Sequence, residues 1–594
     1  MSRMDRPAPG SSDALPESIF QEILKGTFAS MVQEMSLLIE RTAMSPIIRE
    51  KQDYAVGLFD AAGKMVLAQF LMQGPGMIDP ILARFPLESM QPGDVYCYND
   101  PYLSDGAVGH VPDLCFALPV FENGKVRAFV ALFGHFWDVG GIAAGGMSPQ
   151  ATEVFHEGVL IPPVRLLQKG KYADDLYHLV IRNTRFPQYL DGDVRACISA
   201  CQLGVRRVDE LFEQYGVERV LAGCEHILAQ SASGGRQLFE QLLPEGVWHG
   251  DDRVDDDGFG GGPFRVGLRL ERRGDRITFD FTETDDQARG PINFILHPGI
   301  LTSVILGRLL QAQDEALVLN DGLAVVADEI KLRPGSILQP RFPGGVALRA
   351  LSRILVTNSI IKALGKAVPD RMAAASCNYG IMTLRALDAG SGRFIYCFDG
   401  IGVGQGARPT VDGLDAIYFI GQKNNPIEWL EAEYAFRVEE YGITPDSGGA
   451  GKKRGGVGIV RQIRMLRDQV ILCTMMVNAS EPAFGMAGGQ AGKLGRIILN
   501  PGTRDERRLP TLADNIMLNS GDVIRVESAG GGGWGDPKER DAAEVAWDVR
   551  KGYVTVEGAL QDYGVVLNPE TFAIDDQATR ALRMRSGHSS KRSS

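Results

Sequence analysis

The chain has 594 residues, more than one hydrophobic core usually holds, so we expect two or three packed domains. Its apolar fraction of 44% and charged fraction of 23% are ordinary for a globular protein, and its net charge of -12 disfavours nucleic-acid and anionic-membrane partners, which select basic surfaces. Because neither a run of about 18 apolar residues nor an apolar signal segment occurs, we predict a cytoplasmic protein that does not cross a membrane.

The first part of the chain combines a long helical pattern with a hairpin. Residues 1–15 are predicted to be a disordered lead, after which apolar residues recur at helical spacing to about Thr42. The segments YAVGLFD and KMVLAQ then flank a three-residue turn, which is typical of a β-hairpin. Helical spacing returns over 175–243.

The remaining sequence alternates between strand and helix patterns. Strands are predicted between 251 and 286, helices near 301–313 and 348–364, and strands broken by glycine loops over 380–480. We therefore predict an α+β fold with several mainly antiparallel sheets and intervening helices. The predicted parts are an N-terminal metal-site domain (16–250), a middle α+β domain (251–375), a C-terminal β domain rich in glycine loops (376–565) and a mostly disordered tail (566–594).

Asn123-Gly124 is the strongest local signal, because both central positions of a two-residue hairpin turn favour positive φ. Apolar strands flank it, LCFALPVF before and VRAFVALFG after. If this dipeptide is the turn, the numbers of paired residues sum to about 247 and residue 135 lies opposite residue 112. The hairpin therefore brings residues about 25 positions apart to one open end.

At that open end, His135 leaves one strand beside the point where Asp113 enters the other, with His110 just beyond. Two imidazoles and a carboxylate suit Zn, Mn or Fe(II), so we predict a divalent metal held by these three residues. The alternative is purely structural, because such residues commonly satisfy only local hydrogen bonds. A register slip of one residue would turn the side chains to the other face.

Further polar residues are candidates for the same chemistry. Asp138 is a possible additional ligand or orients an imidazole, and Asp100 and Asp105 are further ligand candidates. Glu157, in EVFHEGVLIPP, is either a catalytic acid or a loop contact. In PDSGGAGKKRGGVG, backbone N–H groups could bind an anion or cofactor, or the segment is a solvated turn; its cations are Lys452, Lys453 and Arg454.

Several motifs, in order between about residues 17 and 565, resemble the hydantoinase B/oxoprolinase family. They are NDPYLSDGAVGHVPDL, GHFWDVGG, EVFHEGVLIPPVRL, NDGLAVVADEIKLRPGSILQPRFPGG, GQGARPTVDG, PDSGGAGKKRGGVG and ESAGGGGWGDPKERD. That family includes the B-type subunits of ATP-dependent N-methylhydantoinase, 5-oxoprolinase and caprolactamase, and is related to subunits of acetone and acetophenone carboxylases. In the carboxylases a His, an Asp three residues later and a second His hold a metal, which the resemblance places on His110, Asp113 and His135. Many members have other residues where Phe136-Trp137 stands here, and this bulky pair forms either a pocket wall or part of the core.

The resemblance implies a hetero-oligomer with an A-type partner of actin-like ATPase fold that uses ATP to phosphorylate a small-molecule substrate. The chain itself contains no GxxxxGK[ST] phosphate-binding motif. We expect a Zn, Mn or Fe subunit that opens a cyclic amide of hydantoin, lactam or oxoproline type, with Asp138 or Glu157 assisting proton transfer. Two alternatives are a ketone carboxylase subunit that carboxylates an enol phosphate, with the loop at 452–454 orienting bicarbonate, and a non-catalytic structural subunit.

Overall fold

A computed structural model describes residues 16–587 apart from 70–73, 378, 389, 391 and 419–422. The predicted disordered lead, 1–15, lies outside the described residues. Four β-sheets alternate with helices along the chain, and nearly all strand pairs are antiparallel, so the α+β prediction is confirmed. Within the described part of the chain, no helix is both long and apolar enough to cross a membrane.

A seven-stranded antiparallel sheet occupies the N-terminal part, with the strand order β2-β1-β5-β4-β3-β6-β7. The two longest strands, β4 and β5, lie near its centre and are buried along most of their length. Their residues form one continuous core with the neighbouring strands. The strands are β1 (Tyr54–Asp60), β2 (Met65–Gln69), β3 (Val95–Tyr98), β4 (Asp113–Glu122), β5 (Lys125–His135), β6 (Val164–Gln168) and β7 (Lys171–Tyr172).

Long helices cover this sheet. The first buries an apolar stripe with helical spacing, as the sequence predicts, and packs on the fifth. Gly204 permits that close approach, since a Cβ there would lie 2.7 Å from Met35 Sδ and from Val130 Cγ1. The helices of this part are α1 (Glu17–Thr42), α2 (Pro46–Arg49), α3 (Asp79–Arg84), α4 (Asp174–Arg182), α5 (Pro187–Tyr215) and α6 (Val217–Leu242).

The middle region is a four-stranded sheet packed against one buried helix. β10 and β11 are parallel and the other pairs antiparallel. The helix lies so close that a Cβ on Gly250 would be 1.8 Å from the carbonyl oxygen of Ser359. The elements are β8 (Gly246–Val254), β9 (Phe264–Arg273), β10 (Arg276–Asp280), a π-helical turn (Ile300–Leu306) continuing into α7 (Gly307–Gln311), β11 (Glu329–Lys331) and α8 (Ala350–Ala367).

The C-terminal region contains two antiparallel sheets, ordered β13-β12-β16-β19 and β14-β15-β20-β17-β18. Apolar side chains from both sheets form a second core. The elements are β12 (Gly380–Leu387), β13 (Phe394–Gly400), α9 (Ile427–Glu433), β14 (Phe436–Ile443), β15 (Ile459–Met465), β16 (Val470–Met476), β17 (Arg496–Leu499), β18 (Arg507–Leu509), β19 (Leu512–Leu518) and β20 (Val523–Glu527).

Short helices follow β20, and the last of them lies within 566–594, the segment that the sequence predicts to be a mostly disordered tail. They are α10 (Ala542–Lys551), α11 (Val556–Gln561) and α12 (Asp576–Gly587). The last helix is anchored because Arg583 Nε donates to the carbonyl oxygen of Tyr563 at 3.1 Å and Thr579 is buried. Polar composition predicted disorder, but these contacts compensate for the small apolar area of the segment.

The glycine-rich loops of the C-terminal region stack backbone against backbone. Gly456 N donates to Gln405 O at 2.8 Å, and Gly531 N donates to Gly456 O at 3.0 Å. A Cβ on Gly404 would lie 1.9 Å from Gly456 O, and one on Gly531 would lie 2.1 Å from Gln405 O. The glycines are therefore required here by contact between segments of this chain.

Replacing Gly531 with Ala should destabilise the protein by about 1–3 kcal/mol or more, because the new methyl group overlaps backbone atoms that cannot move aside. Gly26→Ala is the matched control: Gly26 is exposed in α1 with no atom within 4 Å of the added Cβ, so the substitution should stabilise by about 0.5–1 kcal/mol. Urea unfolding of the full chain measures the free energy of unfolding of both variants. Equal stability of Gly531→Ala and the wild type would contradict the stacking argument.

Candidate metal centre

The β4–β5 hairpin brings the predicted ligands together. Asn123 and Gly124 both have positive φ, 50° and 75°, as the predicted turn requires. A bulge between Val120 and Phe121 shifts the register by one residue, so His135 lies opposite Asp113. The predicted pairing of residue 135 with residue 112 is therefore wrong by one position, and the correction places the two side chains directly across from each other.

Three ligand atoms converge at this end of the hairpin. His110 Nε2 lies 2.9 Å from Asp113 Oδ1 and 3.0 Å from His135 Nδ1, and His135 Nδ1 lies 3.1 Å from Asp113 Oδ1. The residues are 1%, 1% and 4% exposed, so little solvent reaches the cluster. In the described part of the chain this is the group whose geometry could hold a metal ion.

The hydrogen bond on the far side of His110 fixes its tautomer. Nδ1 lies 2.9 Å from the carbonyl oxygen of Ala347, which can only accept, so Nδ1 carries the proton. A doubly protonated ring is disfavoured, because burial and the positive charge of Arg349 lower the pKa of His110 to about 4. Nε2 therefore presents a lone pair to the cluster, the arrangement seen in metal-binding histidines.

Arg349 orients the carboxylate of the cluster. Its guanidinium donates to Asp113 Oδ2 at 2.7 Å, which leaves Oδ1 directed at the two imidazoles. Burial alone raises the pKa of Asp113, but His110 and Arg349 outweigh burial and hold it well below its usual range. Asp113 is therefore a carboxylate at neutral pH.

These donors fit a divalent cation. Two nitrogen lone pairs and a carboxylate oxygen about 3 Å apart repel one another unless a proton or cation lies between them. Ligand atoms around a tetrahedral zinc ion lie roughly 3.3 Å apart, so small side-chain shifts would accommodate one. Two histidines and one carboxylate leave further coordination positions for a substrate.

Asp138 lies outside this cluster and belongs to the loop that follows β5. Its Oδ1 accepts from Thr184 Oγ1 at 2.8 Å and from the backbone N of Arg185 at 2.9 Å, and its Oδ2 accepts from the Arg185 guanidinium at 3.0 Å. The structure thus places Asp138 where it ties the end of the β5 strand to the segment preceding α5.

Glu157 is fully buried behind the centre. Its Oε1 accepts from the backbone N of Val346, the residue before the Ala347 carbonyl that holds His110. Burial raises the pKa of Glu157 to about 8, against the opposing effect of backbone N–H groups and Arg349. This carboxyl group is therefore mainly protonated at neutral pH and close to the segment that supports a ligand.

The other predicted residues make contacts elsewhere. Lys452 pairs with Glu539 at the surface, and Lys453 lies near Glu544. Arg454 is buried and pairs with the carboxylates of Asp415 and Asp548. Asp100 caps its own turn through the backbone N of Tyr102 and Leu103, and Asp105 has a positive φ of 48° in the same turn.

Sequence reasoning did not find Arg349, Ala347 or Asp53. The first two follow the hairpin by more than 200 residues, and no local pattern marks them. The backbone oxygen of Asp53 accepts a hydrogen bond from His135 N at 2.9 Å. Like Asp113, Asp53 is an acidic residue at the start of a buried strand, and that pattern could have identified it. Burial raises the pKa of Asp53, and His135 lowers it.

Comparison with known proteins shows that almost the whole chain belongs to the family that its motifs resemble. The family profile described as Hydantoinase B/oxoprolinase matches residues 17–537. The beta subunit of caprolactamase from Pseudomonas jessenii is 30% identical over 94% of this chain and 98% of its own length. The B-type subunit of a putative D-/L-hydantoinase from Pseudomonas sp. (strain NS671) is 28% identical over 96% and 98% of the two chains.

Two solved structures share the fold. The crystal structure of ATP-dependent caprolactamase from Pseudomonas jessenii superposes with a TM-score of 0.86 at 28% identity, covering 96% of this chain and 99% of the other. The nucleotide-free structure of acetone carboxylase superposes with a TM-score of 0.84 over 97% of this chain and 84% of the other. Its identity is 18%, so that likeness concerns the fold alone.

Replacing His110 or His135 with Ala should abolish tight binding of a divalent metal, because each substitution removes one of three protein ligands. Arg349→Gln, which keeps the ligands but releases Asp113, should weaken metal affinity by about 10- to 100-fold. Elemental analysis after dialysis measures the metal content of each variant. His178→Ala, at an exposed position of α4, is the matched control. Equal metal content in the wild type and His135→Ala would contradict the site.

The titration of Glu157 should appear in the stability of the protein. The folded chain keeps a proton on Glu157 up to a pKa of about 8, whereas the unfolded chain releases it near 4.5, so the free energy of unfolding falls as pH rises between these values. Glu157→Gln should flatten this slope in urea unfolding measured across the same pH range. Exposed Glu88→Gln should keep the wild-type slope. Identical slopes for the wild type and Glu157→Gln would show that Glu157 does not titrate in this way.

Proposed function

Because the chain belongs to the hydantoinase B/oxoprolinase family, we propose that it is the metal-containing B-type subunit of an ATP-dependent enzyme that opens a cyclic amide. The observation that carries this proposal is the buried convergence of His110, Asp113 and His135 on one point. A partner chain is supported by the names of the relatives, each of which is one subunit of a larger enzyme. In the proposed assembly an A-type ATPase subunit phosphorylates the substrate oxygen.

In this proposal the three ligands hold a divalent Zn, Mn or Fe ion, which would supply Lewis-acid polarisation of the activated amide. Arg349 holds the Asp113 carboxylate in place, and the Ala347 carbonyl fixes the His110 ring. Those two contacts pre-organise the ligands without using their metal-facing atoms.

Glu157 is proposed to supply the proton that the ring nitrogen needs when the C–N bond breaks. A carboxylic acid with a pKa of about 8 retains its proton at neutral pH and can donate it, and its supporting segment also holds His110. Asp138 is proposed as a positioning residue, since Thr184 and Arg185 already donate to both its oxygens.

Hydrolysis is favoured over carboxylation by the degree of similarity. Two relatives, at 30% and 28% identity, are named as caprolactamase and hydantoinase subunits, whereas the acetone carboxylase chain is 18% identical. A loop with Lys452, Lys453 and Arg454 was the candidate for orienting bicarbonate, but all three cations lie beside acidic side chains. Their charge is thus largely neutralised within the protein.

The test is the reaction of this chain with its ATPase partner, supplied with hydantoins, caprolactam or 5-oxoproline. We expect ring-opened product and phosphate to appear together, and His135→Ala to lower product formation by at least about 100-fold through loss of the Lewis acid. His178→Ala should leave the rate unchanged. Consumption of ATP only in the presence of a ketone and bicarbonate would show that carboxylation, not hydrolysis, is the reaction.

A further inference from the structure

An aromatic cavity of about 510 Å³ is lined in part by Trp137, which follows the candidate ligand His135 by two residues. Its volume lies in the range of cavities that bind small organic molecules. It lies between α5, β13 and α9 and the loop that follows β5. The rings that line it are those of Trp137, Phe186, Tyr189, Phe394, Tyr396 and Trp429.

Trp137 is the central wall of this cavity and is braced by neighbouring rings. Its indole packs edge to face on Tyr189 and Tyr396, with centroids 5.4 and 5.6 Å away, and on Phe186 at 5.6 Å. Such mutual contact holds flat apolar surfaces in fixed positions, which suits recognition of another flat ring.

Two connections place the cavity next to the metal ligands. Trp137 follows His135 by two residues, a chain length of at most about 7 Å. Tyr396 precedes Phe398 by two residues on the same face of β13, and the Phe398 ring centroid lies 6.4 Å from that of His135. A substrate bound at the metal centre could therefore extend a side group into the cavity.

Trp137 is 7% exposed, and its Nε1 is enclosed by protein with no hydrogen-bond partner among the described residues. The indole therefore contributes apolar ring surface to the cavity and not its N–H.

The charge of the lining favours a neutral ligand group. Arg185 lines the cavity, but its guanidinium donates to Asp138 at 3.0 Å and to the carbonyl oxygens of Gly140 and Gly141. Its charge and its donors are thus occupied by groups of the same loop, and the other charged residues of the lining, Asp388, Arg393 and Glu433, carry one positive and two negative charges. These features disfavour phosphate and favour an uncharged ring.

We propose that this cavity binds an aromatic substituent of the substrate, so that the enzyme prefers aryl-substituted cyclic amides. The assignment of the ligand as a cyclic amide rests on the proposed function. The aromatic walls are independent of it.

The test is calorimetric titration of the purified full-length chain with 5-benzylhydantoin and with 5-methylhydantoin. The benzyl compound should bind at least about tenfold more tightly, since several ring contacts add to its affinity. Equal affinities, or no saturable binding of the benzyl compound up to its solubility limit, would overturn the proposal.

Two substitutions test the aromatic walls. Tyr189→Ala removes one wall and should weaken binding of the benzyl compound by about 3- to 10-fold while leaving the methyl compound unchanged. Trp137→Leu removes the central aromatic wall and should likewise weaken binding of the benzyl compound by about 3- to 10-fold while leaving the methyl compound unchanged. Trp547→Leu, at a half-exposed tryptophan of α10, is the matched control and should change neither affinity. The proposal would also be overturned if both cavity variants kept the wild-type preference for the benzyl compound over the methyl compound.

This binding measurement requires neither ATP nor a partner, so it fails or succeeds separately from the proposed reaction. Selective binding without ring opening in the assembled enzyme would contradict the hydrolase proposal alone. Ring opening of benzyl and methyl compounds with equal kcat/KM, together with equal affinities, would contradict the cavity proposal alone.

Discussion

The buried convergence of two imidazoles and one carboxylate is the constraint on which the candidate site depends. His110, Asp113 and His135 direct a nitrogen, an oxygen and a nitrogen at one point from which solvent is nearly excluded. In a medium of low polarity such a set is costly unless a proton or a cation joins it, and the surrounding fold must hold the three groups together. A one-residue bulge in the β4–β5 hairpin and the ion pair from Arg349 both serve this purpose.

Distant parts of the chain meet at the centre because the middle region supports it. The segment before α8 provides the Ala347 carbonyl, the Arg349 guanidinium and the Val346 N–H that binds Glu157. The helix itself is fixed on the middle sheet by the close contact at Gly250. A change in the packing of α8 would therefore reach His110 through the Ala347 carbonyl and Asp113 through the Arg349 side chain, which directly precede the helix.

Local sequence signals predicted the hairpin and the convergence of His110, Asp113 and His135, because a two-residue turn determines pairing over the adjacent strands. Asn123-Gly124 located the turn, but the bulge between Val120 and Phe121 was invisible to pattern reasoning and shifted the register by one residue. Contacts across more than 200 residues, such as Arg349 with Asp113, leave no periodic trace in the sequence. Predicted candidates such as Asp138 were near in sequence, yet local hydrogen bonds engage them elsewhere.

The charge balance of the centre suits the phosphorylated substrate of the proposed function. Arg349 already neutralises the Asp113 carboxylate, and the low pKa of His110 keeps that ring uncharged. A divalent ion held there would leave an excess of positive charge in a buried site, and a mostly protonated Glu157 would not offset it. Anionic groups are therefore favoured at the metal centre, whereas the neighbouring aromatic cavity, where Asp138 neutralises Arg185, favours neutral rings. A substrate with a phosphorylated amide at one end and an aryl group at the other would match both environments.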